Sequence, residues 1–384
     1  MSRFWLLQYF GISLLFLLLS GCERSVEQTT TENGLMANGL IDFLQSSPEH
    51  TFTEVTPEYQ LLFPADHGPH DEFRQEWWYF TGILETAQEA SFGIQLTFFR
   101  FNHGAEQDYD EVSWNHRNSW MSHFVLSDLE SGKLVAFEDF SRGVNGLAGA
   151  TAEPFSVWVN GWSVRQNSVS CPGCLNIQMQ AARPEYSLDL TIETSKQPIL
   201  HGDEGYSLKD YNNRIASYYY SYPQLEASGN IKIDNKILDV SGQVWMDHEW
   251  SSKVLGKGQS GWDWFGLHLS SGDSLMLFRL RNQSGDDYLA ASYIDQQGNK
   301  HSLSKEDFDI RAISWWQSSI SGARYPISFE ISIPVHALQL TVSAVVKDQE
   351  LNLGFRYWEG AVQVQAIGGS AELVGQGFME LTGY

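Results

Sequence analysis

The sequence predicts an all-β chain folded as two consecutive antiparallel β-barrels, and three observations lead there. Short segments rich in aromatic and β-branched residues, bounded by Gly, Asp, Asn or Ser, recur at 77–84, 92–101, 120–126, 155–159, 188–194, 231–233, 274–280, 327–333, 338–346 and 360–364. Turn sequences such as Ser131-Gly132, Ser271-Gly272-Asp273 and Gln297-Gly298-Asn299 separate them, and no long run of helical period competes. At 384 residues the chain exceeds one typical domain, and this many strands fill two barrels rather than one. An internal echo agrees: the strand opening at Trp77 is followed by one ending Phe98-Phe99-Arg100-Phe101, and the strand opening at Trp262 by one ending Leu277-Phe278-Arg279-Leu280.

Taken in order, the chain begins with Arg3, an apolar run over 10–19 and the small residues Ser20-Gly21 before Cys22. The run is too short to cross a bilayer, so residues 1–21 read as a secretory signal. Leu19-Ser20-Gly21-Cys22 matches the bacterial lipobox, which implies cleavage before Cys22, lipidation of that residue and a membrane anchor without a membrane span. Glu23 after the cysteine favours the outer membrane, facing the periplasm. Residues 22–52, rich in Ser, Thr, Glu, Gln and Asn, read as a tether. The first barrel is expected over 53–240 and the second over 241–384.

The formal net charge of −23 and the absence of clustered Lys and Arg exclude nucleic acid as a partner. Cys171-Pro172-Gly173-Cys174 is expected to form a disulfide clamping a turn rather than a zinc or redox site, because no second cysteine pair and no thioredoxin-like pattern accompany it.

The densest chemistry lies in Trp245-Met246-Asp247-His248-Glu249-Trp250, followed by Trp262-Asp263-Trp264-Phe265. Carboxylates flanking an imidazole among apolar rings have their pKa values moved by burial and by like charge at once. Asp247, His248, Glu249 and Asp263 are therefore the candidate acid–base residues. The competing reading has the carboxylates capping a strand or pairing with arginine and the tryptophans filling a barrel. Aromatic residues make up 14% of the chain, and Trp77, Trp78, Tyr79, Tyr219, Trp245, Trp250, Trp262 and Trp264 are the rings expected to line an apolar ligand cavity within a barrel.

Two further segments draw attention. Asp66-His67-Gly68-Pro69-His70-Asp71-Glu72 groups histidines and acids, but Gly68-Pro69 bends the chain between the two imidazoles. No metal is assigned there; a loop in which Glu76 and Arg74 pair at a barrel mouth is expected instead. The run Tyr218-Tyr219-Tyr220-Ser221-Tyr222 is expected at the interface between barrels.

The stretches Phe73-Arg74-x-Glu76-Trp77-Trp78-Tyr79-x-Thr81-Gly82, Ser217 to Tyr222, Trp245 to Trp250, Trp262 to Phe265, Tyr357-Trp358-Glu359-Gly360 and Gly377-Phe378-Met379-Glu380-Leu381-Thr382-Gly383-Tyr384 together resemble the AttH and acyclic carotenoid 1,2-hydratase (CrtC-like) family. The resemblance runs from about Phe63 to the C-terminus. It implies two lipocalin-like barrels, common in envelope lipoproteins, and an association with ABC transport systems. In the hydratases of this family a His-x-Trp pair, matched by His248 and Trp250, acts with a downstream Tyr and Asp to add water to a terminal double bond. The corresponding strand here, Leu275-Met276-Leu277-Phe278-Arg279-Leu280, has no carboxylate, so the resemblance alone supplies no acid for protonating an alkene. No Gly-x-Ser-x-Gly elbow supports a hydrolase.

The sequence thus favours a lipid-anchored binding protein that holds or hands over an apolar small molecule or lipid beside an ABC transporter. The alternative is a hydratase- or hydrolase-type enzyme acting on an isoprenoid or lipid-like substrate. No cofactor is expected for either.

Overall fold

Strand pairing sets the architecture. The computed structural model describes residues 52–104, 117–168, 171, 173–212, 215–253, 255–256, 258–368 and 373–384. The signal sequence, Cys22 and all of the expected tether but its last residue lie outside the described residues.

The first sheet is built from β1 (Gln75–Glu85), β2 (Ser91–Asn102), β3 (Asn118–Asp128), β4 (Leu134–Ser141), β5 (Ala148–Ala152), β6 (Phe155–Val159), β7 (Trp162–Gln166), β8 (Leu175–Arg183), β9 (Tyr186–Thr194), β10 (Ile199–Leu200), β11 (Tyr206–Leu208), β12 (Ala216–Ile233) and β13 (Lys236–Ser251). The second contains β14 (Gln259–Leu269), β15 (Ser274–Asn282), β16 (Tyr288–Ile294), β17 (Lys300–Leu303), β18 (Asp309–Gln317), β19 (Arg324–Ile333), β20 (Leu338–Ala344), β21 (Glu350–Asn352), β22 (Arg356–Ala366) and β23 (Leu373–Thr382).

Each sheet is a meander whose last strand returns to its first. The orders are β4-β3-β2-β1-β13-β12-β9-β8-β7-β6-β5 and β17-β16-β15-β14-β23-β22-β20-β19-β18. The first curls into a nearly closed barrel, with β6 packed against β2, β3 and β4; the second is a half-barrel. Two consecutive antiparallel barrels are therefore present. The echo in the sequence is a structural repeat, because β1 and β2 stand to β13 as β14 and β15 stand to β23.

The division expected at 240/241 falls inside β13, whose register with β1 runs from Gln75↔Ser251 to Glu85↔Ser241. The chain changes sheet between Ser251 and Gln259 instead. The hairpin of β12 and β13 is longer than a typical strand pair, which is why a boundary placed by strand spacing cut through it.

Alternation along the strands sorts side chains into separate cores. Trp78, Phe80, Phe98, Phe124, Tyr220, Tyr222 and Met246 belong to the interior of the first barrel, and Phe265, Leu277, Phe329, Trp358 and Met379 to that of the second. A third cluster, including Tyr79, Tyr219, Trp245, Trp264, Phe278 and Phe378, fills the space between the barrels. The expected ring-lined cavity lies in that space rather than within a barrel, because bulky side chains fill the first interior.

Candidate active site

The pleat of β13 divides the densest motif between two places. Met246, His248 and Trp250 point into the first barrel, whereas Trp245, Asp247 and Glu249 face the second. Neighbours in a strand point to opposite faces, so His248 and the carboxylates on either side of it do not form one site. The same division applies to β12. Tyr218, Tyr220 and Tyr222 fill the first barrel, and of the tyrosine run only Tyr219 faces the cleft.

The inter-barrel cleft encloses about 90 Å³ between Trp77, Tyr79, Tyr219, Trp262, Trp264, Phe278 and Tyr357, with Asp247, Glu249 and Glu380 among them. Gly266 allows the rings to close around it, since a Cβ there would fall 2.5 Å from Trp264 Cη2 and 3.0 Å from Trp245 Cδ2. Asp247 accepts hydrogen bonds from Tyr219 Oη at 2.7 Å, from Trp245 Nε1 at 2.6 Å and from Ser221 Oγ. Burial nonetheless pushes its carboxyl up to about 7. Glu249 lies 2.7 Å from Lys209 Nζ, whose ammonium stands 4.4 Å from the Phe278 ring centre. Among the described residues lining the cleft, Lys209 is the one cation.

Two more acids enter from the second sheet. Glu359 on β22 and Glu380 on β23 are directly opposed in register; Glu359 is buried, and Glu380 is half-buried where it lines the cleft. Burial, then the charge of Glu380, raises Glu359 well above the usual carboxylate range, although Tyr79 Oη donates to it. Burial likewise pushes Glu380 up to about 8, against a hydrogen bond from Trp262 and with the charges of Asp247 and Glu249 adding to the rise. Two facing carboxyl groups held away from bulk water cannot both ionise cheaply. Both shifts favour one shared proton on the pair at neutral pH.

The interior of the first barrel is the electrostatic opposite. Glu76 Oε1 accepts from His70 Nδ1 at 2.7 Å and from His248 Nε2 at 2.9 Å, while Oε2 meets Arg100 Nε at 2.8 Å. Burial alone would raise Glu76; the charges of Arg100 and His70 outweigh it and hold the carboxylate well below its ordinary value. His70, also 3.0 Å from Asp66, rises to about 9 because Glu76 and Asp66 overcome its burial. His248 is lowered by burial, with Glu76 opposing. Ligand atoms of His70, Glu76 and His248 lie within 4.8 Å of one another, so these three are the described residues that could hold a metal. Their contacts have the lengths of direct hydrogen bonds, and Arg100 already neutralises Glu76. The partner of Glu76 is thus Arg100, not the Arg74 expected from sequence; Arg100 stands opposite Glu76 on the paired strand.

Asp263 repeats this device in the second barrel. It stands opposite Arg279 on β15 and is held by Arg279, Arg281 and Tyr384. It faces away from the cleft, because its neighbour Trp264 faces into it. Of the expected ligand rings, Trp77, Tyr79, Tyr219, Trp262 and Trp264 line the cleft. Trp245 packs behind it. Trp78 and Trp250 lie in the first barrel, stacked on His248 and on His70. Cys171 and Cys174 are joined by a disulfide before β8.

Tyr357, Glu359 and Glu380 stand in motifs that carry the resemblance but were not named as site residues, and Lys209 and Gln95 were passed over. A signal was present for two of them: Glu359 and Glu380 are the lone acids of their strands and are flanked by apolar residues such as Trp358, Met379 and Leu381. Lys209 comes from the connection after β11 and carries no such mark.

The profile of the AttH-like family matches residues 54–384. A crystal structure of an AttH from Nitrosomonas europaea is 30% identical and superposes with a TM-score of 0.77, covering 87% of this chain and 99% of that one. Kievitone hydratase from Nectria haematococca superposes with a TM-score of 0.64 at 13% identity, over 88% of this chain and 97% of that one. CghA, in a structure with Sch210972, does so at 0.51 and 11% identity, over 89% and 97%. The last two likenesses are likenesses of fold. A comparison with curated proteins finds no match.

Proposed function

We propose, from the premise that this chain belongs to the AttH-like family, that its inter-barrel cleft catalyses the addition of water to a carbon–carbon double bond of an apolar substrate, or the reverse elimination. The observation that carries this reading is the facing pair Glu359 and Glu380 at a cleft walled by aromatic rings. Protonating an alkene carbon demands an acid that is still protonated at neutral pH and shielded from water. A carboxyl group raised by burial and by a like neighbour meets that demand. Glu380, which lines the cleft, is the donor, with Glu359 as the neighbour that keeps the proton on the pair. The cation left on the substrate then lies among Tyr79, Tyr219 and Trp264, whose electron-rich faces stabilise positive charge. Water attacks that cation and yields the alcohol.

The name of one relative in fold, kievitone hydratase, agrees with water chemistry on this scaffold. The departure that weakened this reading in the sequence, a strand 275–280 without a carboxylate, is offset by acids supplied from β22 and β23. The carrier reading is the weaker one, because holding an apolar ligand requires apolar walls and gives no reason to bury several acids around it. A lipid-anchored position in the envelope, read from Leu19 to Cys22, belongs to the same proposal.

The test is incubation of the purified protein with kievitone and with acyclic isoprenoid alkenes in water labelled with heavy oxygen, followed by mass spectrometry. An alcohol carrying one labelled oxygen, formed by the wild type and not by Glu380→Gln, is the expected result. Substrate that is bound and recovered unchanged would return the protein to the carrier reading.

A further inference from the structure

Adding water requires a base as well as an acid, and Glu380, which lines the cleft, is already taken up as the proton donor. On the far wall, Tyr357 of β22 lines the cleft. His123 Nδ1 lies 2.7 Å from Tyr357 Oη, and His123 Nε2 lies 3.1 Å from Glu138 Oε2. The three residues come from both barrels. His123 and Glu138 are cross-strand partners on β3 and β4, and Tyr357 reaches them from the second sheet. His123 is fully buried, with Phe99 and Phe355 packed against its ring, and the titratable groups facing it are Glu138 and Tyr357. Glu138 also accepts the Gly354 N–H at 2.7 Å, and its side chain is 18% exposed.

The carboxylate at Nε2 fixes the imidazole tautomer. Glu138 can only accept, so the ring proton sits on Nε2 and Nδ1 accepts from the Tyr357 hydroxyl. Burial lowers His123, with Glu138 opposing, so the ring is neutral and ready to take a proton. Gln95 Nε2 donates to Tyr357 Oη at 3.0 Å and to Thr97 Oγ1 at 3.1 Å. Gln95 Oε1 is buried, lines the same wall and meets no hydrogen-bond donor among the described residues. A buried acceptor left unpaired costs stability unless something donates to it, and a water held there would also reach Tyr357.

We propose that Tyr357, His123 and Glu138 form a proton relay from the cleft to solvent, with Tyr357 as the base that receives the proton of the attacking water and Gln95 as the residue that positions that water. This deepens the hydration reading and rests on it. As the water oxygen bonds to the substrate cation, its O–H breaks and the proton passes to Tyr357 Oη. The Tyr357 proton passes in turn to His123 Nδ1. The resulting imidazolium is held by the Glu138 carboxylate, and the proton leaves through the exposed end of Glu138. Glu380, having given its proton to the alkene, is recharged from solvent, and the balance closes at one water added. Tyr357 is the catalytic residue of the three; His123 and Glu138 act through it.

Two measurements on the full chain test the relay. In nitrogen-15 spectra of histidine-labelled protein, with the His123 signal assigned through His123→Gln, the ring should be protonated at Nε2 with Nδ1 as acceptor, and the Nδ1 signal should move in Tyr357→Phe. In the labelled-water assay, Tyr357→Phe should lower kcat by roughly 100-fold with KM little changed. His123→Gln should remove the low-pH limb of the wild-type rate profile, and Glu138→Gln should shift that limb. A ring protonated at Nδ1, or a Tyr357→Phe variant with wild-type kcat, would overturn the relay. If the wild type turns over none of the alkenes, the hydration reading fails by itself, and the tautomer and its response to Tyr357→Phe then decide whether the relay exists. Tyr357→Phe keeps the ring that packs against Phe355, so the test survives should His123→Gln fail to fold.

Discussion

The two faces of one strand, β13, hold the same kinds of group in opposite electrostatic states. On the inner face, His248 joins a network in which Glu76 is met by Arg100 and two imidazoles. On the outer face, Asp247 and Glu249 look across the cleft at Glu359 and Glu380, with Lys209 as the one cation among the lining residues. Compensation keeps the inner carboxylate ionised and fixed, because its attraction to Arg100 and His70 offsets desolvation. Glu249 is compensated by Lys209; Glu359 and Glu380, which face each other without a cation beside them, are raised instead, because each charge would lie near another of like sign. Burial by itself makes neither chemistry nor stability; the ratio of cations to acids around a buried carboxyl decides which results.

The sharpest way to break this comparison is to neutralise one acid on each side. Glu380→Gln should lower kcat by roughly 10²–10⁴-fold, the usual share of a general acid, without loss of stability, since an amide replaces an acid that burial already keeps from ionising. Arg100→Met should do the reverse. It leaves Glu76 buried without its main counter-charge and should cost about 3–5 kcal/mol in denaturant unfolding, while turnover per folded molecule stays near wild type. If Glu380→Gln destabilised the fold as Arg100→Met does, the cleft acids would be structural and the division would fail.

Titration separates the two faces without removing a residue from the cleft. His70 is raised in the folded protein from 6.5 to about 9, so its contribution is complete below the unfolded value and disappears as pH rises through 9. At ~1.4 kcal/mol per unit this amounts to at most about 3 kcal/mol. Glu76 is depressed, so its contribution is present above its unfolded value and is lost as pH falls. Asp247 and Glu380 are raised to about 7 and about 8, so their contribution is present below the ordinary carboxylate range and disappears as pH climbs to those values. Unfolding free energies measured across pH should therefore fall less steeply between 6.5 and 9 in His70→Asn and level off near 8, where the decline from the raised carboxyl groups ends. A His70→Asn curve parallel to wild type above pH 6.5 would show that His70 carries no stabilising proton.

Much of the fold was legible because strand grammar is local. Aromatic and β-branched runs between turn residues mark strands whatever they pair with, and the repeated Phe-Arg-Phe and Phe-Arg-Leu endings preserve a cross-strand ion pair, Glu76 with Arg100 and Asp263 with Arg279. The site was legible only in part. Trp245 to Trp250 reads as one cluster along the chain, yet the period of two sends its histidine and its carboxylates to opposite faces, and which face meets a second barrel is a tertiary fact. Likewise Glu359 and Glu380 meet Asp247 only when β22 and β23 dock against β1 and β13. His123 and Tyr357, far apart in sequence, meet only across the two barrels. The resemblance that implicates His248 and Trp250 therefore points to the inner face of β13, the strand whose outer face borders the cleft.

The smallest expected effect tests that last point most closely. Trp250 stacks on His70 with ring centres 3.8 Å apart and planes 4° from parallel. Because His70 is protonated at neutral pH, the indole face stabilises its charge. Trp250 Nε1, in contrast, is buried without a hydrogen-bond partner among the described residues. Trp250→Phe thus loses part of the cation–ring attraction and some packing volume but also removes an unpaired donor, and the opposing effects should leave a net loss of about 1 kcal/mol. Since the pairing needs protonated His70, the loss should shrink as pH rises through 9. Turnover should hold, because Trp250 touches His70, His248, Tyr218 and Tyr220 and does not line the cleft. A Trp250→Phe variant that keeps its stability and loses its turnover would instead place the chemistry on the inner face of β13, with His248 as its acid or base, and would reduce the cleft acids to bystanders.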